Sequence, residues 1–474
     1  IVRGDWSSDV CSSDLMTSGN IPGQLLAFSA PMLVGNIVQQ FYNMADSVIV
    51  GNYVGARALG AVGACNSLNF LFFSLCSGMA LGIGVIMAQY FGAQSEVKVK
   101  KTIINGFFLL TVVSVLMGGM GYLLAEPALR LLRTPTEYIG DTVTYLRTVS
   151  CGMAAVAAYN GVAAMLRALG DSKTPLIFLV LASLLNIGLD LLFVLYFNMA
   201  VYGVAIATVI AQGTSAAGCM IFAFRVNPYF KVKRKDMILD RDILSQCIRL
   251  GVPVTFQNAL IAVSTSCLQG VANGFGPSVA TAYTMTTRLE QLIGQPYSSM
   301  ASGVSTFTGQ NMGAGRIKRV RQGLRTGLIF SACFSVVMLI LMRFGGHLIL
   351  RLFGNDTEIL GIAVNALKIT SFFYFPLGVI YLIRGLSNGA GDAAYSMMNG
   401  IVEVFCRFFF SMVLTRITGI GMWGVWLTTG FTWSLTALAS VVRYKQKKWM
   451  RGYPLTIMFK QRKMYANSDK NDFT

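Results

Sequence analysis

Apolar runs of about twenty residues recur from near residue 24 to residue 444, each closed by a short polar or glycine-rich cluster. A helix of that length crosses the hydrocarbon core of a bilayer. The pattern predicts twelve helices. Six lie at 24–51, 59–90, 102–124, 139–166, 174–197 and 202–225. Six more lie at 245–271, 279–309, 322–345, 359–384, 394–416 and 421–444. The breaks are turn chemistry: Gly-Ala-Gln at 92–94, Gly-Asp at 170–171, Asn-Gly-Phe-Gly-Pro at 273–277 and Gly-Ala-Gly at 313–315.

The pattern also repeats. P-M-L-V-G-N from Pro31 matches P-V-T-F-Q-N from Pro253, and M-A-Q-Y-F-G-A from Met87 matches T-G-Q-N-M-G-A from Thr308. Gln89, Gly92 and Ala93 pair with Gln310, Gly313 and Ala314, and Asn52 and Gly55 with Asn273 and Gly276, all at an offset of 221. Six spans per half make each half enter and leave on one side, so the two repeats run parallel. The expected fold is all-α and polytopic: twelve transmembrane helices in two six-helix repeats. The predicted divisions are an N-terminal extension at 1–15, non-native or disordered; a first lobe at 16–225; a linker at 226–242; a second lobe at 243–444; and a basic tail at 445–474. Met16 reads as a start, and the first apolar run reads as a span rather than a cleavable signal.

Composition supports lipid as the solvent. The chain is 54% hydrophobic and 12% charged, against about 25% charged in soluble domains. A net charge of +18 would suggest nucleic acid in a soluble protein. Here the basic residues sit in alternate loops. One set holds Lys98, Lys100, Lys101, Arg167, Lys173, Lys231, Lys233, Arg234, Lys235, Arg316, Lys318, Arg319 and Arg321, and continues into the tail. The opposite set is sparse: Arg57, Arg130, Arg133, Arg343, Arg351 and Arg416. That bias predicts cytoplasmic termini and linker, and no nucleic-acid partner. The cysteines form no C-x-x-C pair, and His347, the only histidine, falls in a predicted external loop, so neither a His-built metal site nor a Ser-His-Asp triad is expected.

Ionisable groups inside spans point to function, because lipid makes them costly. Asp46 ends a polar stripe of Gln39, Tyr42 and Asn43 on the first helix. Asn186 and Asp190 stand at i and i+4, on one face. They form either a hard-cation site, closed by the Thr208 hydroxyl, or an acid simply hydrogen-bonded by the amide. The second half departs from this. Cys267 or Leu268 stands opposite Asp46, and Ser411 opposite Asp190. Arg288 with Glu290 and Glu403 with Arg407 look instead like intramembrane ion pairs with a structural role. Pro31 and Pro253 each remove a helical hydrogen bond and read as kinks or as hinges.

These residues resemble the multidrug and toxic compound extrusion (MATE) transporters, over about residues 20–450. The resemblance rests on the duplicated Pro-x4-Asn and Gln-x-x-Gly-Ala signatures, N-M-A-D-S-V-I-V-G in the first helix, R-A-L-G-D-S-K-T-P at 167–175 and N-I-G-L-D at 186–190. It implies a V-shaped antiporter that exports organic cations in exchange for H⁺ or Na⁺. It further implies an ion site of Asp46, Asn186, Asp190 and Thr208, as in the prokaryotic DinF-like branch, with Na⁺ at the last three if that is the ion. Gln39, Tyr42, Asn43 and Asn160 would line the cargo cavity. The seventh helix lacks the acid that the NorM-like branch uses in its second lobe. Glu290, Glu403 and Arg407 are the charged candidates there.

The competing reading is a lipid-linked oligosaccharide flippase of the same superfamily, which needs basic residues for pyrophosphate. The acids of the first half favour cationic cargo. With no nucleophile–base pair and no Walker motif, neither an enzyme nor an ATP-driven pump is expected. We expect no cofactor beyond the coupling ion. The expected partners are membrane lipid and small cationic or amphipathic substrates, the expected state a monomer in the cell (inner) membrane.

Overall fold

The computed structural model describes residues 15–132, 134–232, 238–351, 354 and 356–452. The extension through residue 14, Arg133, Lys233, Arg234, Lys235 and the tail from residue 453 lie outside the described residues.

Regular structure among the described residues is helical throughout. The elements are α1 Ile21–Ile49, α2 Ala56–Gly92, α3 Glu96–Leu123, α4 Ala125–Leu131, α5 Ile139–Cys151, α6 Met153–Ala168, α7 Lys173–Leu191 and α8 Ala200–Val226. There follow α9 Arg241–Asn273, α10 Pro277–Gly313, α11 Ile317–Leu350, α12 Thr357–Thr370, α13 Tyr374–Ala390, α14 Ala393–Leu414 and α15 Gly424–Lys445.

Each predicted span has its rod, with differences that have local causes. The predicted 139–166 helix is α5 and α6, bent by 45°. The break is at Gly152, where a Cβ would come 2.6 Å from Val209 of α8; only glycine lets α8 in this close. The predicted 359–384 span is α12, a 3₁₀ turn at Ser371–Phe373, and α13. The short α4, unpredicted, carries the Glu126–Arg130 pair at 2.7 Å. Among the described residues ten helices are long and apolar enough to cross a membrane, and α5 with α6 makes an eleventh. α10 is long enough at 37 residues but polar. Its side chains Thr308, Gln310 and Asn311 are fully buried, so protein rather than lipid surrounds that end.

The chain divides into two compact units. The first contains Ala27–Met87 and Glu96–Thr255; the second contains Met16–Leu26, Ala88–Ser95 and the chain from Phe256. The divisions therefore fall inside α1, α2 and α9.

Both units are packed through glycines, as helices in lipid must be when no hydrophobic drive separates them from solvent. In the first unit α2 crosses α9 where Gly78, Gly82 and Gly251 meet; a Cβ on Gly82 would lie 2.6 Å from the Cys247 carbonyl. In the second, Gly385 and Gly389 of α13 lie directly on the Ala301 and Ser305 carbonyls of α10. The outward surface carries Leu131, Tyr196, Phe344 and Phe405, more than two-thirds exposed, the reverse of a soluble protein and suited to acyl chains.

The repeat is visible in the backbone. Gly55 and Gly276 have φ of 110° and 103°, and Gly170 and Gly391 of 99° and 83°. Asp171 and Asp392 follow the second pair, and each accepts backbone N–H groups at the start of the next helix. A left-handed glycine followed by a capping aspartate pins the register of α7 and α14 to the same 221-residue step.

Candidate functional site

The carboxylates of the first unit come together. Asp46, near the end of α1, lies beside Asp190 of α7, close enough for one proton to join the two carboxyls. Asp190 has no solvent exposure. The Oδ1 atom of each is buried without a hydrogen-bond partner. The four ion pairs among the described residues of this unit lie elsewhere: Arg57–Asp141, Lys100–Glu96, Lys101–Asp240 and Arg130–Glu126. No base pairs with Asp46 or Asp190 among the described residues.

Asn186 and Asp190 share a face of α7, as their spacing requires. The Asn186 amide lies 3.1 Å from Asp190 Oδ2 and 3.2 Å from Thr208 N; turned with its N–H toward the acid, it donates to Asp190 and accepts from Thr208 N. The Thr208 hydroxyl donates to Val204 O at 3.0 Å, within its own helix, and the Tyr42 hydroxyl lies beside it. Among the described residues no group of three or more His, Cys, Asp or Glu side chains is placed to hold a metal ion.

Sequence reasoning missed two features. Tyr145 of α5 is buried within electrostatic reach of Asp46, Asp190 and Tyr42; a lone tyrosine in a helical stretch gives no signal. Second, α1 and α7 each run into a π-helical turn just past their acid, at Val50–Val54 and Leu192–Tyr196. The two turns touch. Such turns widen a helix and recur at functional sites.

The remaining candidates lie apart. Asn160 is half-buried and donates to Val156 O at 2.8 Å, in its own helix. Gln39 is half-buried and Asn43 exposed, with no side-chain hydrogen bond to the carboxyl pair among the described residues. Pro31 and Pro253 sit in α1 and α9 without interrupting either helix. Pro31 leaves the Ala27 carbonyl without its helical donor, and Ala27 is where α1 passes from the second unit to the first. Pro253 is two residues from the corresponding change in α9.

In the second unit Arg407 Nη2 donates to Glu403 Oε1 at 3.1 Å, with both side chains under 10% exposed. Arg384 approaches the other oxygen at 3.9 Å and donates to Asn399 Oδ1 at 2.7 Å. Gln257 donates to the same Asn399 oxygen at 2.7 Å. The expected Arg288–Glu290 pair is not formed. Positions i and i+2 do not face each other on a helix; Arg288 is exposed. Glu290 instead lies beside Thr370 and near Arg407, with Oε1 unpartnered.

Comparison with known proteins follows the same division. The family model MatE matches twice, at residues 31–192 and 253–413. A probable multidrug resistance protein of Bacillus subtilis, YpnP, is 30% identical, covering 91% of this chain and 97% of its own. An FAD transporter of Shewanella oneidensis is 22% identical, covering 86% and 90%. Among solved structures, MATE in the straight conformation superposes with a TM-score of 0.87 at 21% identity, covering 91% of this chain and 97% of that one.

Proposed function

The chain belongs to the MATE family of membrane transporters, and from that footing we propose a secondary antiporter that exports organic cations by exchange with protons at Asp46 and Asp190. It is a transporter and not an enzyme. The observation that carries the proposal is the pair of adjoining carboxyls, Asp190 buried and Asp46 half-buried, with no base paired to either among the described residues. Two like charges in a poorly hydrated site repel strongly, so one proton or one cation between them is needed. Cargo and ion then compete for the same charge. Arrival of the ion expels the cargo, and the lobe is free to turn.

Proton coupling is favoured over Na⁺ by the amide. Turned with its N–H toward Asp190 and its oxygen toward Thr208 N, the Asn186 amide satisfies both groups without a cation; a Na⁺ ligand set of Asn186, Asp190 and Thr208 needs the opposite orientation. Gln39, Tyr42, Asn43 and Asn160 are proposed to meet cargo, with Tyr145 a further hydroxyl by the acids. Pro31 and Pro253 are proposed as hinges, because each sits where its helix changes unit. The protein is proposed to be a monomer of the cell (inner) membrane with both termini cytoplasmic.

An anionic cargo, as in an oligosaccharide flippase or the Shewanella FAD transporter, would be supported by Arg384 and Arg407. Those guanidiniums are already engaged by Glu403 and Asn399, which leaves cationic cargo the better supported. The test is dye efflux from vesicles given a pH gradient alone, then a Na⁺ gradient alone. Efflux under neither gradient would end the antiport reading; efflux under Na⁺ alone would replace the proton.

A further inference from the structure

The repeats place a polar side chain at the same step of the same helix, neutral in one and cationic in the other. Asn186 of α7 and Arg407 of α14 each stand fifteen residues past their capping aspartate, from 171 to 186 and from 392 to 407. They are equivalents in backbone geometry as well as in sequence. Asn186 lies beside an acid one turn on, Asp190. Arg407 donates to an acid one turn back, Glu403. The charge balance differs accordingly. The first unit brings together two acids, Asp46 and Asp190, with no paired base among the described residues. The second brings Glu290 and Glu403 together with Arg384 and Arg407, so its two acids are matched by two guanidiniums.

We propose that Arg407 is a tethered cation that silences an ion site in the second unit, so that residue 407 sets how many ions are exchanged per cycle. This rests on the reading of Asp46 and Asp190 as the ion site of the first unit. A guanidinium stays protonated at any physiological pH. Being covalently attached, it has a local concentration that a dilute mobile ion does not match. It therefore occupies permanently the role that a proton or Na⁺ fills transiently at Asp190. Arg384, at 3.9 Å, holds Glu403 from the other side. Take away the charge at 407, and the two acids of the cluster are left with Arg384 alone, one positive charge short around the buried Glu403. A monovalent cation or a proton makes up that deficit.

The experiment counts ions per molecule in detergent. Radiolabelled Na⁺ bound at equilibrium and protons taken up on an acid step are both measured. Arg407→Asn and, separately, Arg384→Gln are made in the intact protein and in an Asp190→Asn background. Each is expected to bind one ion more than its own parent, and adding Glu403→Gln is expected to abolish the gain. A folded Arg407→Asn protein with no gain over its parent overturns the inference, as does a gain that survives Glu403→Gln. Should Arg407→Asn fail to fold, Arg384→Gln decides in the same way, since it removes the looser of the two guanidiniums while glutamine can still donate to Asn399. The parents report on the first unit independently. If Asp190→Asn binds as many ions as the unaltered protein, the first-unit site is wrong, whatever residue 407 does.

Discussion

Replacing Glu403 should harm the protein more than replacing Arg407, and the asymmetry can be worked from two distances. Glu403 is held by Arg407 at 3.1 Å and by Arg384 at 3.9 Å. At an effective dielectric of about 20, those attractions are about 5 and about 4 kcal/mol before desolvation is counted. Glu403→Gln loses both and leaves two guanidiniums with Glu290 as their remaining acid. Arg407→Gln loses the closer one, and Arg384 remains together with the proton or cation taken up in place of the lost charge. Removing one partner of a buried pair costs about 3–5 kcal/mol, so Glu403→Gln is expected in that range. Arg407→Gln is expected at about half of it. The double variant should cost less than the sum of the singles, by about 2 kcal/mol, because neither charge is then stranded. The assay is thermal unfolding of the four proteins in one detergent, at low and at high Na⁺. Additive costs, or an Arg407→Gln protein less stable than Glu403→Gln, would refute this account of the cluster. A double variant with normal stability but no transport would show that the pair takes part in the mechanism.

Asp190→Asn and Asp46→Asn should each reduce efflux by at least tenfold at normal membrane abundance, because asparagine cannot cycle a charge; efflux at the normal rate from both variants would refute the first-unit mechanism. Asn186→Leu should weaken transport and shift its pH profile, since it removes the amide 3.1 Å from Asp190; an unchanged profile would make the amide a bystander. Gly82→Leu should cost about 1–3 kcal/mol or more, because its Cβ would already lie 2.6 Å from the Cys247 carbonyl; a fully stable variant in the same melt would show that α2 and α9 are not so tightly packed. In a cysteine-free protein, a cysteine at Lys98 should be labelled only from the cytoplasmic side and one at Glu137 only from outside; the reverse would invert the topology.

The helices, their order and the duplication were legible in the residues, because bilayer thickness sets the length of an apolar run and a repeated turn needs the same glycine twice. Gly170–Asp171 and Gly391–Asp392 could be read as turns from composition alone. So could the facing of Asn186 and Asp190, which is a property of one helix. What a single helix cannot contain was left to the tertiary structure. Asp46 and Asp190 are 144 residues apart, and only the packing of α1 against α7 and α8 makes them one site with Thr208 and Tyr42. The same is true of Tyr145, whose neighbours come from other helices, and of Arg384, which pairs across to α14. The expected Arg288–Glu290 pair failed for a related reason: proximity along the chain is not proximity on a helix face. Unit boundaries inside α1, α2 and α9 were equally hidden, because a continuous apolar helix carries no mark of the bundle it packs against. Local interactions determine the elements and their register; which distant side chains share a dry site depends on the glycine-lined crossings through which the helices meet.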